Sequence, residues 1–134
     1  MLTKTERDRL LSAAIAARKN AYAPYSGFHV GAALLCEDGR IFCGCNVENS
    51  AYSPTLCAER VAIGAAVAAG ARCFRAIAVV GGSLEAVAAC PPCGVCRQVL
   101  SEFTDGSLTV IFYGEDGIVE CPLADLLPHS FSIK

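Results

Sequence analysis

Apolar and polar positions along the chain recur with two different periods, and the switches between them mark out its elements. Leu10, Leu11, Ala14, Ile15, Ala17 and Ala21 recur at helical spacing, which predicts a first helix from about residue 4 to about residue 20. Thr3 followed by Glu6 has the form of a capping box at its start. The pattern breaks at Ala23-Pro24-Tyr25-Ser26-Gly27. Two extended segments follow, His29–Cys36 and Arg40–Val47, and the Asp38-Gly39 pair between them signals a hairpin. Asn46 to Thr55 reads as a polar loop containing Pro54. The Ala-rich stretch Cys57–Ala69 reads as a helix closed by Gly70.

Phe74–Val80 is apolar and bounded by Gly81-Gly82, the pattern of a strand buried on both faces. Pro91-Pro92 ends the loop that follows, and Cys93–Phe103 returns to helical spacing. Leu108–Tyr113 and Ile118–Cys121 form two further strands around Gly114-Glu115-Asp116-Gly117, and a short helix at Pro122–Leu127 precedes the tail. The order α-β-β-α-β-α-β-β-α predicts an α/β fold, a mixed five-stranded sheet layered with helices. No internal repeat, low-complexity tract or linker interrupts it. Residues 1–134 are therefore read as a single domain.

Composition adds a constraint on the surface. Of 134 residues, 54% are hydrophobic and 18% charged, with a mean hydropathy of +0.45. A chain of this length buries roughly two-thirds of its unfolded surface and needs no staples. The apolar excess suggests that further surface is covered by another copy or partner. A formal net charge of −2 and the absence of any Lys/Arg run count against nucleic-acid binding, which works by neutralising phosphates. The longest apolar, small-residue run, Val61 to Ala71, falls short of the roughly 20 residues of a membrane helix. Lys4, Glu6, Arg7, Asp8 and Arg9 precede any apolar stretch, unlike a secretory signal. The expected location is the cytoplasm. There, nine cysteines are thiols or metal ligands rather than a disulfide framework.

Two of the cysteine motifs open helices. Pro92-Cys93-Gly94-Val95-Cys96 places two thiols one turn apart, and Cys57-Ala58-Glu59 begins the preceding helix. Helix N-termini favour thiolates through their dipole and free N–H groups. Zinc suits sulfur, and three protein ligands leave a fourth position for water, the catalytic pattern. Glu59 would stand beside that water as a proton carrier, and Arg60 would offset part of the thiolate charge. Spacing alone also admits a redox C-x-x-C pair. It equally admits a closed four-cysteine zinc site, with Cys90, Cys43 or Cys45 as the fourth ligand. Cys36, Cys73 and Cys121, beside apolar stretches, read as small buried hydrophobes. His29 and His129, without ligand spacing to a cysteine pair, read as surface or interface residues.

Cys57-Ala58-Glu59 followed by Pro92-Cys93-x-x-Cys96 resembles the C-x-E…P-C-x-x-C signature of zinc-dependent nucleoside deaminases. Tyr22-Ala23-Pro24-Tyr25-Ser26, Phe28 and Val30-Gly31-Ala32-Ala33-Leu34 resemble the N-terminal segment of the cytidine deaminase family. So do Gly44-Cys45-Asn46-Val47-Glu48-Asn49, Cys93-Gly94-x-Cys96-Arg97-Gln98-Val99 and Leu126-Leu127-Pro128 with Phe131. The match spans nearly the whole chain, at the length of the short, homotetrameric type. It implies a three-layer α-β-α fold and hydrolytic deamination of cytidine and deoxycytidine to uridine and deoxyuridine, with ammonia released.

Carried over by position, the resemblance implies one Zn²⁺ per subunit on Cys57, Cys93 and Cys96, with Glu59 as proton shuttle. It implies that Asn46 and Glu48 bind the ribose hydroxyls, that Phe28 packs against the nucleoside, and that Ala58 also contacts it. Tyr52 and Phe131 match positions at subunit boundaries, with Phe131 reaching a neighbour's pyrimidine. Arg60 matches an arginine that hydrogen-bonds the ligand thiolates. Gly27 and His29 depart from the family pattern on either side of Phe28, where a basic residue and a proline or other small or polar residue are usual. Blasticidin S deaminases share the zinc signature, but Asn46-Val47-Glu48-Asn49 and Tyr52 favour cytidine. A non-catalytic zinc-stabilised interaction domain is the reading from another class, and a fourth protein ligand would mark it.

Overall fold

Thr3 Oγ accepts from the Glu6 amide at 3.1 Å and Glu6 Oε1 from the Thr3 amide at 2.9 Å. That capping box starts helix α1 (Lys4–Arg18) in the computed structural model, which describes residues 2–134. The hairpin of β1 (His29–Cys36) and β2 (Ile41–Cys45) follows, with Gly39 in the turn at a φ of +92°. Helix α2 (Ala58–Ala68), strand β3 (Phe74–Gly82) and a two-residue strand β4 (Val87–Ala88) come next. Helix α3 (Gly94–Ser101), strands β5 (Thr109–Gly114) and β6 (Gly117–Pro122) and helix α4 (Leu123–Leu126) complete the order.

The sheet runs β2-β1-β3-β5-β6, with β4 paired to the end of β3. Only β3 and β5 are parallel, in register from Ala76 against Thr109 to Val79 against Phe112. The short β4 is the addition to the five strands expected. Its two residues carry no periodic signal, and a pairing with Gly81 and Gly82 creates it.

Alternation along the strands sorts the side chains into two cores. Ala33, Leu35, Ala76, Ala78, Val80 and Ile111 pack with Leu10, Leu11 and Ala14 of α1. On the other face Ala32, Leu34, Ile77, Val79, Val110 and Phe112 meet α2, Leu100 of α3 and Leu123 of α4. These are the three layers that the resemblance implies. Each large side chain buried there contributes about 1.5–3 kcal/mol relative to an exposed one. An ion pair of Arg7 with Glu120 ties α1 to the far strand β6.

Several boundaries and environments differ from expectation. The first helix ends at Arg18, and β2 stops at Cys45 because Val47 instead bridges Tyr22 and Leu56. Cys57 and Cys93 are N-caps rather than first helical residues. Cys36 is buried as expected, whereas Cys73 is exposed, because it lies in the turn before β3 rather than in the strand. His29 begins β1 as expected and is half-buried, with its Nδ1 buried and unpartnered. Among the described residues, no helix is long and apolar enough to cross a membrane.

Candidate metal and nucleoside site

Two helix N-termini meet on the α2–α3 face of the sheet. Cys57 caps α2 and Cys93 caps α3, both with extended backbone, so their side chains leave the helices at the ends where amides are free. Cys96 follows one turn into α3 and is fully buried. The Cys57 and Cys93 sulfurs are 3.7 Å apart, those of Cys93 and Cys96 3.4 Å apart, and all three lie within 4.8 Å of one another. A tetrahedral zinc with sulfur arms of about 2.3 Å has S···S edges of about 3.8 Å. The three thiols fit that ion. Cys90 and the β2 cysteines do not join the set, so the closed four-cysteine reading lacks its fourth ligand.

Hydrogen bonds and burial set the charge preferences of the cluster's side chains. Hydrogen bonding from the Cys96 thiol, then from Arg60 and Cys93, draws Cys57 down to about 5, against the opposing effect of burial. Cys96 is pushed up by the same hydrogen bond and by burial. Arg60 Nη2 donates to Cys57 Sγ at 3.4 Å and to the Thr55 carbonyl at 3.2 Å, while its Nε is buried without a partner. Glu59 is only 4% exposed. Burial raises its carboxyl above the usual carboxylate range, and the Cys57 charge adds to the effect. A carboxyl so placed takes up a proton more readily than one in water.

The remaining expected residues divide into two groups. The Phe28 ring and the Cys90 sulfur both lie against Gly81 at the end of β3, and Cys90 feels the charges of Glu59, Cys57 and Cys93. Phe28 therefore belongs to the surroundings of the sulfur cluster. Asn46 is buried, with Oδ1 accepting from the Val30 amide and Nδ2 donating to the Phe28 carbonyl, both at 2.9 Å. Glu48 accepts from the amides of Tyr25 and Ser26, and its carboxyl is held below the usual range, first by the Ser26 hydroxyl. Gly27, between Ser26 and Phe28, has a φ of +68°, a conformation that suits glycine.

Tyr52 and Phe131 stand apart within this one chain. Tyr52, with a φ of +63° and 79% exposed, shares a shallow hollow of about 440 Å³ with Glu48 and Tyr25. Phe131 is 71% exposed, its carbonyl held by Gln98 Nε2 at 3.1 Å, and it lines a different cavity with Glu102 and Lys134. Two positions were given no role from sequence. Arg97 donates to the Pro92 carbonyl at 2.7 Å and the Leu126 carbonyl at 2.9 Å, clamping the start of α3 to α4. Its place directly after Cys96 was the available signal. Ser26, in the turn before Phe28, is the other.

Comparison with known proteins agrees with this geometry. The family model described as the cytidine and deoxycytidylate deaminase zinc-binding region matches residues 4–112. The chain is 52% identical over 126 residues to a cytidine deaminase of Sporosarcina psychrophila, covering 93% of this chain and 90% of that one. It is 44% identical to a cytidine deaminase of Halalkalibacterium halodurans, covering 96% of each. The crystal structure of cytidine deaminase from Burkholderia pseudomallei superposes with a TM-score of 0.85 at 46% identity, covering 97% of this chain and all of that one. The chain belongs to the cytidine deaminase family.

Proposed function

We propose that this protein is a cytoplasmic, zinc-dependent cytidine deaminase acting in pyrimidine salvage, with residues 1–134 as one catalytic domain. It converts cytidine and deoxycytidine to uridine and deoxyuridine and releases ammonia. The observation that carries the reading is the convergence of three cysteine sulfurs with a buried glutamate on two helix N-termini.

Cys57, Cys93 and Cys96 are the ligands of one zinc per subunit, with Arg60 bracing Cys57. When bound, zinc lowers the pKa of a water and so supplies hydroxide near neutral pH for addition at C4 of the base. Glu59 takes the proton released there and passes it to N3 of cytosine, which makes C4 electrophilic. It then takes up the proton of the hydroxyl added at C4, as that oxygen becomes the carbonyl of the product, and delivers it to the departing amino group, which leaves as ammonia. Its raised affinity for protons supports both transfers. Phe28 and Ala58 contact the nucleoside, and Asn46 and Glu48 face the sugar hydroxyls, which both donate and accept.

The working form in this reading is a homotetramer with active sites at subunit boundaries. Exposed Tyr52 and Phe131, together with exposed Val47, Leu56 and Ile133, support it. Sedimentation at micromolar concentration tests it, and a stable monomer overturns it. The activity is tested with cytidine, deoxycytidine, cytosine and CMP, following the ultraviolet loss of the cytosine chromophore with and without chelator. Loss with the nucleosides alone, abolished by chelator, is expected. No change with any of them overturns the reading.

A further inference from the structure

Glu48 is more heavily engaged than a sugar-binding carboxylate needs to be. Its Oε1 accepts from the Tyr25 amide at 2.9 Å and the Ser26 amide at 3.2 Å, and its Oε2 accepts from the Ser26 hydroxyl. The same hydroxyl accepts the Phe28 amide at 3.0 Å. The Phe28 carbonyl meanwhile accepts a hydrogen bond from Asn46 Nδ2 at 2.9 Å. Both backbone groups of Phe28 thus end on the Asn46 and Glu48 pair, one directly and one through a single hydroxyl.

The demands on that hydroxyl are specific. It must give its one proton to a carboxylate and receive an amide on a lone pair at the same time, which a hydroxyl does and a methyl cannot. An ionised carboxylate offers about four lone-pair sites. Three are occupied by the turn, which leaves about one for a ligand hydroxyl. Without Ser26 Oγ, the Oε2 oxygen loses its tie and the carboxylate is held through Oε1 alone, so its orientation is less well fixed. Phe28 stays anchored by Asn46, so its ring is disturbed much less.

We propose that Ser26 is a positioning residue for sugar recognition, fixing the Glu48 carboxylate so that one oxygen site faces the nucleoside's hydroxyls. The proposal rests on the reading of Asn46 and Glu48 as the sugar-binding pair. Ser26→Ala and Ser26→Thr in the full-length, zinc-loaded enzyme test it, with cytidine and 2′,3′-dideoxycytidine as paired substrates. A hydrogen bond to a charged group contributes about 1.5–3 kcal/mol, so Ser26→Ala is expected to raise the KM for cytidine about tenfold or more, with kcat and the dideoxycytidine KM changing by no more than about twofold. Ser26→Thr, which keeps the hydroxyl, is expected to restore most of the cytidine KM. An unchanged cytidine KM, or an equal loss on both nucleosides, overturns the proposal. So does a Ser26→Ala protein that melts early or sheds zinc while Ser26→Thr does not, because the hydroxyl then serves stability. A wild-type enzyme with the same KM for both nucleosides fails the sugar reading itself, whatever the variants do.

Discussion

Gly44 lies so close to Ala58 that a β-carbon at position 44 would stand 2.4 Å from the Ala58 carbonyl oxygen. The same atom would be 2.5 Å from the Ala62 amide nitrogen. The backbone of β2 therefore supports the first turn of α2, which follows Cys57 and carries Glu59 and Arg60. Neither neighbour is a flexible side chain that could swing away. Gly44→Ala is expected to cost about 1–3 kcal/mol by overpacking and to tilt the start of α2. Zinc should then pass to a competing chelator at lower chelator concentration than from the wild type. Melting curves and a chelator titration check both effects, and wild-type behaviour in both would show that the helix can shift freely.

Glu59→Gln separates the proton carrier from the metal site. The amide is nearly isosteric, fits the same buried space and leaves the three sulfurs untouched, so zinc content should match the wild type. It cannot carry a proton between water, N3 and the leaving group. Turnover is expected to fall by about 10²–10⁴, the usual contribution of general acid–base catalysis, or more because one group serves two transfers. Metal analysis beside the ultraviolet assay checks it, and retention of wild-type activity would remove Glu59 from the mechanism.

Arg60 addresses the charge of the cluster. Three thiolates on Zn²⁺ leave a net negative charge, and the guanidinium contact at 3.4 Å with Cys57 Sγ offsets part of it while holding the Thr55 loop. Arg60→Gln keeps a donor and removes the charge. Partners that orient ligands in this way typically contribute 10–100-fold in metal affinity, so a loss of about that size is expected. Competition against a chelator of known affinity measures it directly.

The parts of this site that could be read from sequence are those with local spacing. Cys57, Cys93 and Cys96 were legible because helix starts are marked by pattern and proline, and one turn separates the last two. A mixed sheet layered with helices followed from the order of elements and a doubly apolar β3, and the three-layer arrangement from the family resemblance. Asn46 and Glu48 were legible as a sugar-binding pair through the family resemblance, but not as the braces of the Tyr25–Phe28 turn. Their hydrogen-bond partners lie 16 to 23 positions away, and only the folded chain brings them together. Spacing says which way a side chain points and not what meets it. The same reason hid Arg97, whose acceptors belong to the loop before α3 and to the last turn of α4. Cys73 was misread because a place beside an apolar strand does not decide what packs over a side chain.

Far from the site, Glu6 sets part of the acid stability. Arg75 Nη1 and Nη2 reach its two oxygens at 2.6 and 3.2 Å, joining α1 to β3. The Arg75 hydrogen bond, and then that from the Thr3 amide, holds its carboxyl well down, to about 2 from an ordinary 4.5. An unfolded chain takes up this proton near 4.5 and the folded chain only near 2. The contribution is therefore complete above about pH 5 and drains away as pH falls from about 4.5 towards 2. Glu6→Gln preserves the capping box, since glutamine serves there as well, and removes the titration. Melting temperatures of the two proteins are expected to differ most at neutral pH and to converge towards pH 2. Zinc is lost alike from both as acid protonates the thiols, so the difference isolates Glu6. A gap independent of pH would assign the contribution of Glu6 to packing rather than to its charge.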